Sequence, residues 1–173
     1  SLDELDEEGS YLIVADADED SYFVASPGTY PTATNGGTLG INAVTLAHAD
    51  GNVDFSEDLL PCIVSLKKGS VEDDTFAISF DPSKGRNCWC CAPGAATFSV
   101  NNGFFFNPAP DTDSEEQGYW KFSYEFPYVV VTSRKVTTQH FYYVEDYRQF
   151  RPAREDATED GHTLKGIKFL RLQ

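Results

Sequence analysis

The chain has 173 residues, 28 acidic against 13 basic, and a formal net charge of −15. That balance excludes a phosphate backbone or an anionic bilayer surface as a partner, because both need clustered Lys and Arg, and the one local group here is Arg148, Arg151 and Arg154. No run of about 18 apolar residues exists for membrane insertion, while a 40% hydrophobic and 14% aromatic content indicates a packed interior in a single domain.

Residues 1–9 (SLDELDEEG) are acidic and poor in apolar side chains, and read as a flexible leader joining the domain to something upstream. The domain then spans residues 10–173. Strands are predicted at Tyr11–Val14 and Tyr22–Ala25 around an acidic turn, and at Leu39–Leu46 after a Gly/Pro/Thr/Asn loop. Cys62–Leu66, Phe76–Phe80 and Cys88–Cys91 follow, with Asp81-Pro82-Ser83-Lys84-Gly85 supplying a strong turn signal. Ala96–Val100 and Gly103–Phe106 read as strands about an Asn101-Asn102-Gly103 turn. Residues 119–126 (YWKFSYEF) alternate aromatic and polar, giving one buried face at period two. Pro127–Pro152 reads as a β-hairpin, and residues 166–172 (GIKFLRL) as a last alternating strand. Nowhere do apolar residues recur at three and four over about twelve positions, so helix is not expected.

The elements repeat. An apolar triplet is followed by an aromatic or Cys-rich triplet three times: Tyr11–Ile13 with Tyr22–Val24, Phe76–Ile78 with Cys88–Cys90, and Val129–Val131 with Phe141–Tyr143. Another strand precedes the second and third pairs. The C-terminal strand supplies the one missing from the first. Three units of about 55 residues, each of four strands and closed by pairing the two ends of the chain, describe an all-β, β-trefoil-like closed barrel that leaves no open edges. A two-sheet β-sandwich has similar strand spacing and is the alternative.

The opening Gly9-Ser10-Tyr11-Leu12-Ile13-Val14 with Tyr22-Phe23-Val24, and the close Phe141-Tyr142-Tyr143, Gln149-Phe150-Arg151 and Ile167-Lys168-Phe169-Leu170, resemble β-trefoil-like accessory modules of secreted and surface proteins of Bacteroidetes. That resemblance implies an exported adhesion or accessory module, extracellular or at the cell surface, with no catalytic residues to carry over. The sequence departs from the pattern at Cys88-Trp89-Cys90-Cys91, where an aromatic–aliphatic strand is usual.

Candidate chemistry is sparse. Cys62, Cys88, Cys90 and Cys91 do not form the two separate CxxC pairs of structural zinc sites. They read either as one or two disulfides, for example Cys62 with Cys88 or Cys90, or as buried free thiols. Asp16, Asp18 and Asp20 have the one-three-five spacing of calcium ligands without the Gly and the twelfth-position Glu that complete such a loop, so a solvated turn competes with calcium, the only cofactor indicated. Asp50, Asn52 and Asp54 repeat that pattern in weaker form. The histidines, His48, His140 and His162, sit in no nucleophile motif.

Aromatic side chains that stack on sugar rings remain. Tyr22, Tyr30, Trp89, Trp120, Tyr142 and Tyr147 are the candidates, with Tyr30, Trp89 and Tyr147 taken as the ligand-binding set. The leading function is thus a non-enzymatic binding or adhesion module whose partner is a glycan or a surface protein. A virion, tail or appendage subunit is the alternative, and a hydrolase using acidic loop residues is the third.

Overall fold

A computed structural model describes residues 2–30, 40–91, 99–100, 104–110 and 118–172. Thirteen strands are present among them, in three successive units. The first holds β1 (Ser10–Asp18), β2 (Ser21–Ala25), β3 (Ile41–Ala47) and β4 (Val64–Lys68). The second holds β5 (Thr75–Phe80), β6 (Cys88–Cys91), β7 (Phe104–Asn107) and β8 (Trp120–Glu125). The third holds β9 (Tyr128–Ser133), β10 (His140–Val144), β11 (Gln149–Ala153), the two-residue β12 (Leu164–Lys165) and β13 (Lys168–Arg171).

Two layers follow from the pairing. The first and last strands of the units form a ring, β1–β4–β5–β8–β9–β13, that returns to β1 through antiparallel pairs from Tyr11–Arg171 to Val14–Lys168. Between β9 and β13 the link is one bridge, where the Val129 N–H donates to the Ile167 carbonyl at 2.9 Å. The middle strands form three hairpins, β2/β3, β6/β7 and β10/β11, and β3 also pairs with β11 at Ile41–Phe150. The expected end-to-end closure is therefore present, with four main strands per unit.

Strand alternation fills the interior. Ile13, Ile78 and Val131 occupy matching places in the three units, and Val64, Leu66, Phe122, Phe150 and Trp120 join them in one buried cluster. Trp89 stacks on Trp120 with ring centres 4.0 Å apart, and the Trp120 indole N–H donates to the Trp89 carbonyl at 3.1 Å. A second face of β1 is covered too. Leu12 and Val14 pack with Leu59 and Cys62 from a 3-10 turn (Glu57–Cys62).

Three expectations are corrected. The hairpin read over Pro127–Pro152 holds three strands: β10 pairs along its length with β11 across a 3-10 turn (Glu145–Tyr147), whereas β9 meets β10 only at Thr132–His140. The cysteines form no disulfide; all four are buried free thiols. Alternation along β6 puts Cys88 and Cys90 on one face beside Phe105 and Tyr119 and Cys91 on the opposite face, while Cys62 lies in the separate cluster behind β1. Finally, residues 2–9 are packed onto the domain instead of standing off it as a leader. Leu5 is buried in the main core, and the Lys68 N–H donates to Glu7 Oε1 at 2.7 Å. The strand expected at Ala96–Val100 falls largely, and the turn at Asn101–Gly103 wholly, outside the described residues, although Val100 bridges to Ala153.

Candidate binding groove

At one end of the ring, β4 turns into β5 and β8 turns into β9. The third such position lies between β13 and β1, which no turn joins. Residues 2–9 fill it as a strap. Asp6 fastens the strap: its Oδ1 accepts from the Gly9 N–H at 2.6 Å and the Glu8 N–H at 3.1 Å, and its Oδ2 takes the Arg171 guanidinium at 2.7 Å. Arg171, with the two amides in support, holds the Asp6 carboxyl below the usual carboxylate range. The Tyr11 hydroxyl donates to the Glu4 carbonyl at 3.2 Å and accepts from the Asp6 N–H at 2.9 Å. A Cβ on Gly9 would collide with that phenol, so glycine is required there.

Between the strap and the β8–β9 turn lies an open groove of about 540 Å³. Asp3, Glu4 and Asp6 line it from the strap, Tyr124 and Pro127 from the turn, and Lys168, Phe169 and Arg171 from β13. Tyr124 is 41% exposed, and Phe126, between it and Pro127, is 84% exposed. The two rings meet edge-on at 6.4 Å. Both cations are already held, Arg171 by Asp6 and Lys168 by Asp16 at 3.0 Å. The groove thus offers apolar ring surface beside carboxylate oxygens, the two kinds of contact that a ring with one C–H face and a rim of hydroxyls can use together.

Sequence reasoning missed both halves of this site. Tyr124 and Phe126 continue the alternation of Trp120 and Phe122, which marks them for the interior, but β8 overruns the core and leaves its last three residues exposed. The strap carboxylates were assigned to a leader.

The expected ligand-binding residues do not come together. Trp89 is fully buried, which corrects its assignment as a binding residue: it lies on the inward face of β6 between Trp120 and Phe141. Trp120 and Tyr22 are buried as well. Tyr30 packs on Phe106 at 4.7 Å with its hydroxyl buried and unpartnered, and burial pushes its ionisation up to about 12. Tyr142 is half-buried, and burial followed by the nearby Glu155 and Glu125 takes it to about 12 also. Tyr147 is 45% exposed, yet Arg151 lies 4.3 Å over its ring and His162, itself 2.7 Å from Asp146, stacks at 5.4 Å.

The calcium candidates are used by the fold. Asp16 receives Lys168; Asp18 accepts from the Asp20 N–H at 2.9 Å and the Ser21 hydroxyl at 2.8 Å, closing the β1–β2 turn; Asp20 is the turn itself. Asp50 and Asn52 belong to another tight turn, in which Asp50 and Gly51 have positive φ and the Gly51 N–H donates to His48 Nδ1 at 3.0 Å. Among the described residues no group of three or more His, Cys, Asp or Glu is placed to hold a metal.

No protein-family model matches the sequence, and no curated protein matches it either. Among the solved structures that match, three superpose on 95% of the chain. They are a GlcNAcα1-4Gal-releasing endo-β-galactosidase from Clostridium perfringens (TM-score 0.56, 8% identity), the Polyporus squamosus lectin bound to the epitope Neu5Acα2-6Galβ1-4GlcNAc (0.51, 12%), and the designed three-fold symmetric protein ThreeFoil (0.52, 13%). The fold is a β-trefoil. The chain spans 33% of the galactosidase and 49% of the lectin but 99% of ThreeFoil, so one trefoil accounts for the whole likeness. At these identities the likeness is of fold alone. In trefoil terms the groove sits where the pseudo-threefold pattern is interrupted, at the junction of the first and third units.

Proposed function

We propose that this β-trefoil is a non-catalytic carbohydrate-binding module that takes a sugar in the groove between the strap and the β8–β9 turn. The observation that carries the reading is the exposed Tyr124–Phe126 pair beside a groove lined with carboxylates. Aromatic residues exposed to this degree are characteristic of surfaces that bind. The trefoil lectin among the structural neighbours, solved with a glycan, supports the class.

Binding without turnover is favoured by the acids themselves. A glycosidase needs one carboxyl with raised pKa as proton donor. Among the described residues, the carboxyls whose acidity the surroundings clearly change, Asp6, Asp18, Glu72 and Asp146, are all held lower. The reading goes with an extracellular or cell-surface setting, where glycans are displayed.

Glycan-array binding followed by calorimetry, on the wild type and on Tyr124→Ala and Phe126→Ala, tests it. Each substitution is expected to weaken binding by about tenfold, in line with the loss of one stacking ring, with an unchanged melting temperature. Absence of selective glycan binding, or binding indifferent to both substitutions, overturns it.

A further inference from the structure

The groove is not neutral. Its two cations are engaged by carboxylates, Arg171 by Asp6 and Lys168 by Asp16. Asp3, exposed on the strap, has no basic partner among the described residues. On the far side of Leu5 an adjoining hollow of about 420 Å³ shares Asp3 and adds Asp73 and Asp74, with Lys68 as the cation among its described lining residues and Lys121, paired with Glu72, reaching the Asp73 carbonyl. A ligand lying along this end of the ring therefore meets surplus negative charge at Asp3 and exposed aromatic surface at Tyr124 and Phe126. An acidic sugar would be repelled there. An ammonium group would be drawn to the carboxylate by charge and to the ring faces by their quadrupole.

Resting on the carbohydrate reading above, we propose that the groove selects amino sugars bearing a free, protonated amine, with Asp3 as the principal counter-charge and Tyr124 and Phe126 as the stacking surface. The recognised class is a deacetylated hexosamine oligomer. N-acylation removes the charge and with it the preference. Sialylated or sulfated glycans are disfavoured.

The test uses the whole chain and three probes, the β-1,4-linked hexamer of glucosamine, its fully N-acetylated counterpart and a sialylated lactose. Calorimetry is done at mildly acidic pH, where sugar amines carry their protons and ordinary carboxylates have lost theirs. The glucosamine hexamer is expected to bind about tenfold more tightly than the acetylated one, an advantage that added salt erodes, and the sialylated probe more weakly than either. Asp3→Asn should remove most of that advantage and leave the acetylated hexamer's affinity alone. Asp160→Asn, the same charge change on an exposed turn outside the groove, should leave both unchanged.

Equal binding of the two hexamers, preference for the sialylated probe, or equal effects of Asp3→Asn and Asp160→Asn would each overturn the proposal, the last by exposing mere bulk attraction to an acidic protein. Binding of the acetylated hexamer with no amine preference would sink this inference and spare the carbohydrate reading. Failure of every probe together with a blank glycan array would remove both. Should Asp3→Asn disturb the strap, Asp3→Glu, which keeps the charge, should retain the amine preference and repeats the comparison.

Discussion

Arg171 Nη1 lies 2.7 Å from Oδ2 of Asp6, 165 positions earlier in the chain, so the last strand holds the N-terminal strap in place. Asp6 is more acidic in the folded protein, through Arg171 first and then the Gly9 and Glu8 amides. The stability it adds is present above its unfolded value of about 4 and is lost as pH falls through the lower folded value. Acidification should therefore free the strap, and Asp6→Asn should free it at neutral pH. Hydrogen exchange at the Gly9 amide, faster in the variant while the β1 amides stay protected, is the expected signature. The global melting temperature should move little, because the pair is exposed.

Leu5 is the strap's anchor in the core. Leu5→Ala should cost about 2–5 kcal/mol, the usual range for a buried leucine truncated to alanine, measured by urea unfolding. A strap that stood off the domain would show no change.

Trp89 carries packing and not recognition. Trp89→Ala removes an indole stacked on Trp120 and tilted against Phe141, and should cost about 3–5 kcal/mol. Trp89→Phe, milder and still folded, should bind glycan as the wild type does. Lost binding in a normally folded Trp89→Phe would contradict the buried position.

Four buried thiols should be silent toward a thiol reagent in the native protein and all react once it is unfolded. Burial pushes the Cys62 and Cys91 thiols up, which slows them further, whereas a hydrogen bond with Cys90 draws Cys88 down. A reductant should leave the melting temperature unchanged. A reductant-sensitive transition would show that a disulfide exists after all.

Period-two patterning made the trefoil readable, because the first and third residues of each triplet announce an inward face whatever their identity: Tyr11 and Ile13, Phe76 and Ile78, and Val129 and Val131 all lie in the main core. The same patterning misled at the ends. Alternation says which side of β8 Tyr124 and Phe126 take, and says nothing of where the core stops, a property set by the neighbouring strands. Two leucines among acids at residues 2–9 give no strand-like alternation, yet Leu5, buried in the main core with Leu2 packed against it, is enough to dock the segment. Four cysteines suggested one or two bonds, such as Cys62 with Cys88 or Cys90, and strand geometry put Cys62 in a cluster apart from the one that Cys88 and Cys90 share. Tyr30 and Tyr147 lie in loops as read, but loop position did not reveal the Phe106, Arg151 and His162 rings and cations that engage them.

The β1–β13 pairing bears on how the molecule is made. Within the domain, synthesis delivers β1 before β13, so β1 waits with one edge unpaired until β13 has been released. Closure is thus a late, long-range event, of the kind that slows folding and exposes strand edges on the way. For as long as that lasts the Asp6 knot cannot tie and the groove has only one wall, so binding competence should arrive in the same step as the completed ring.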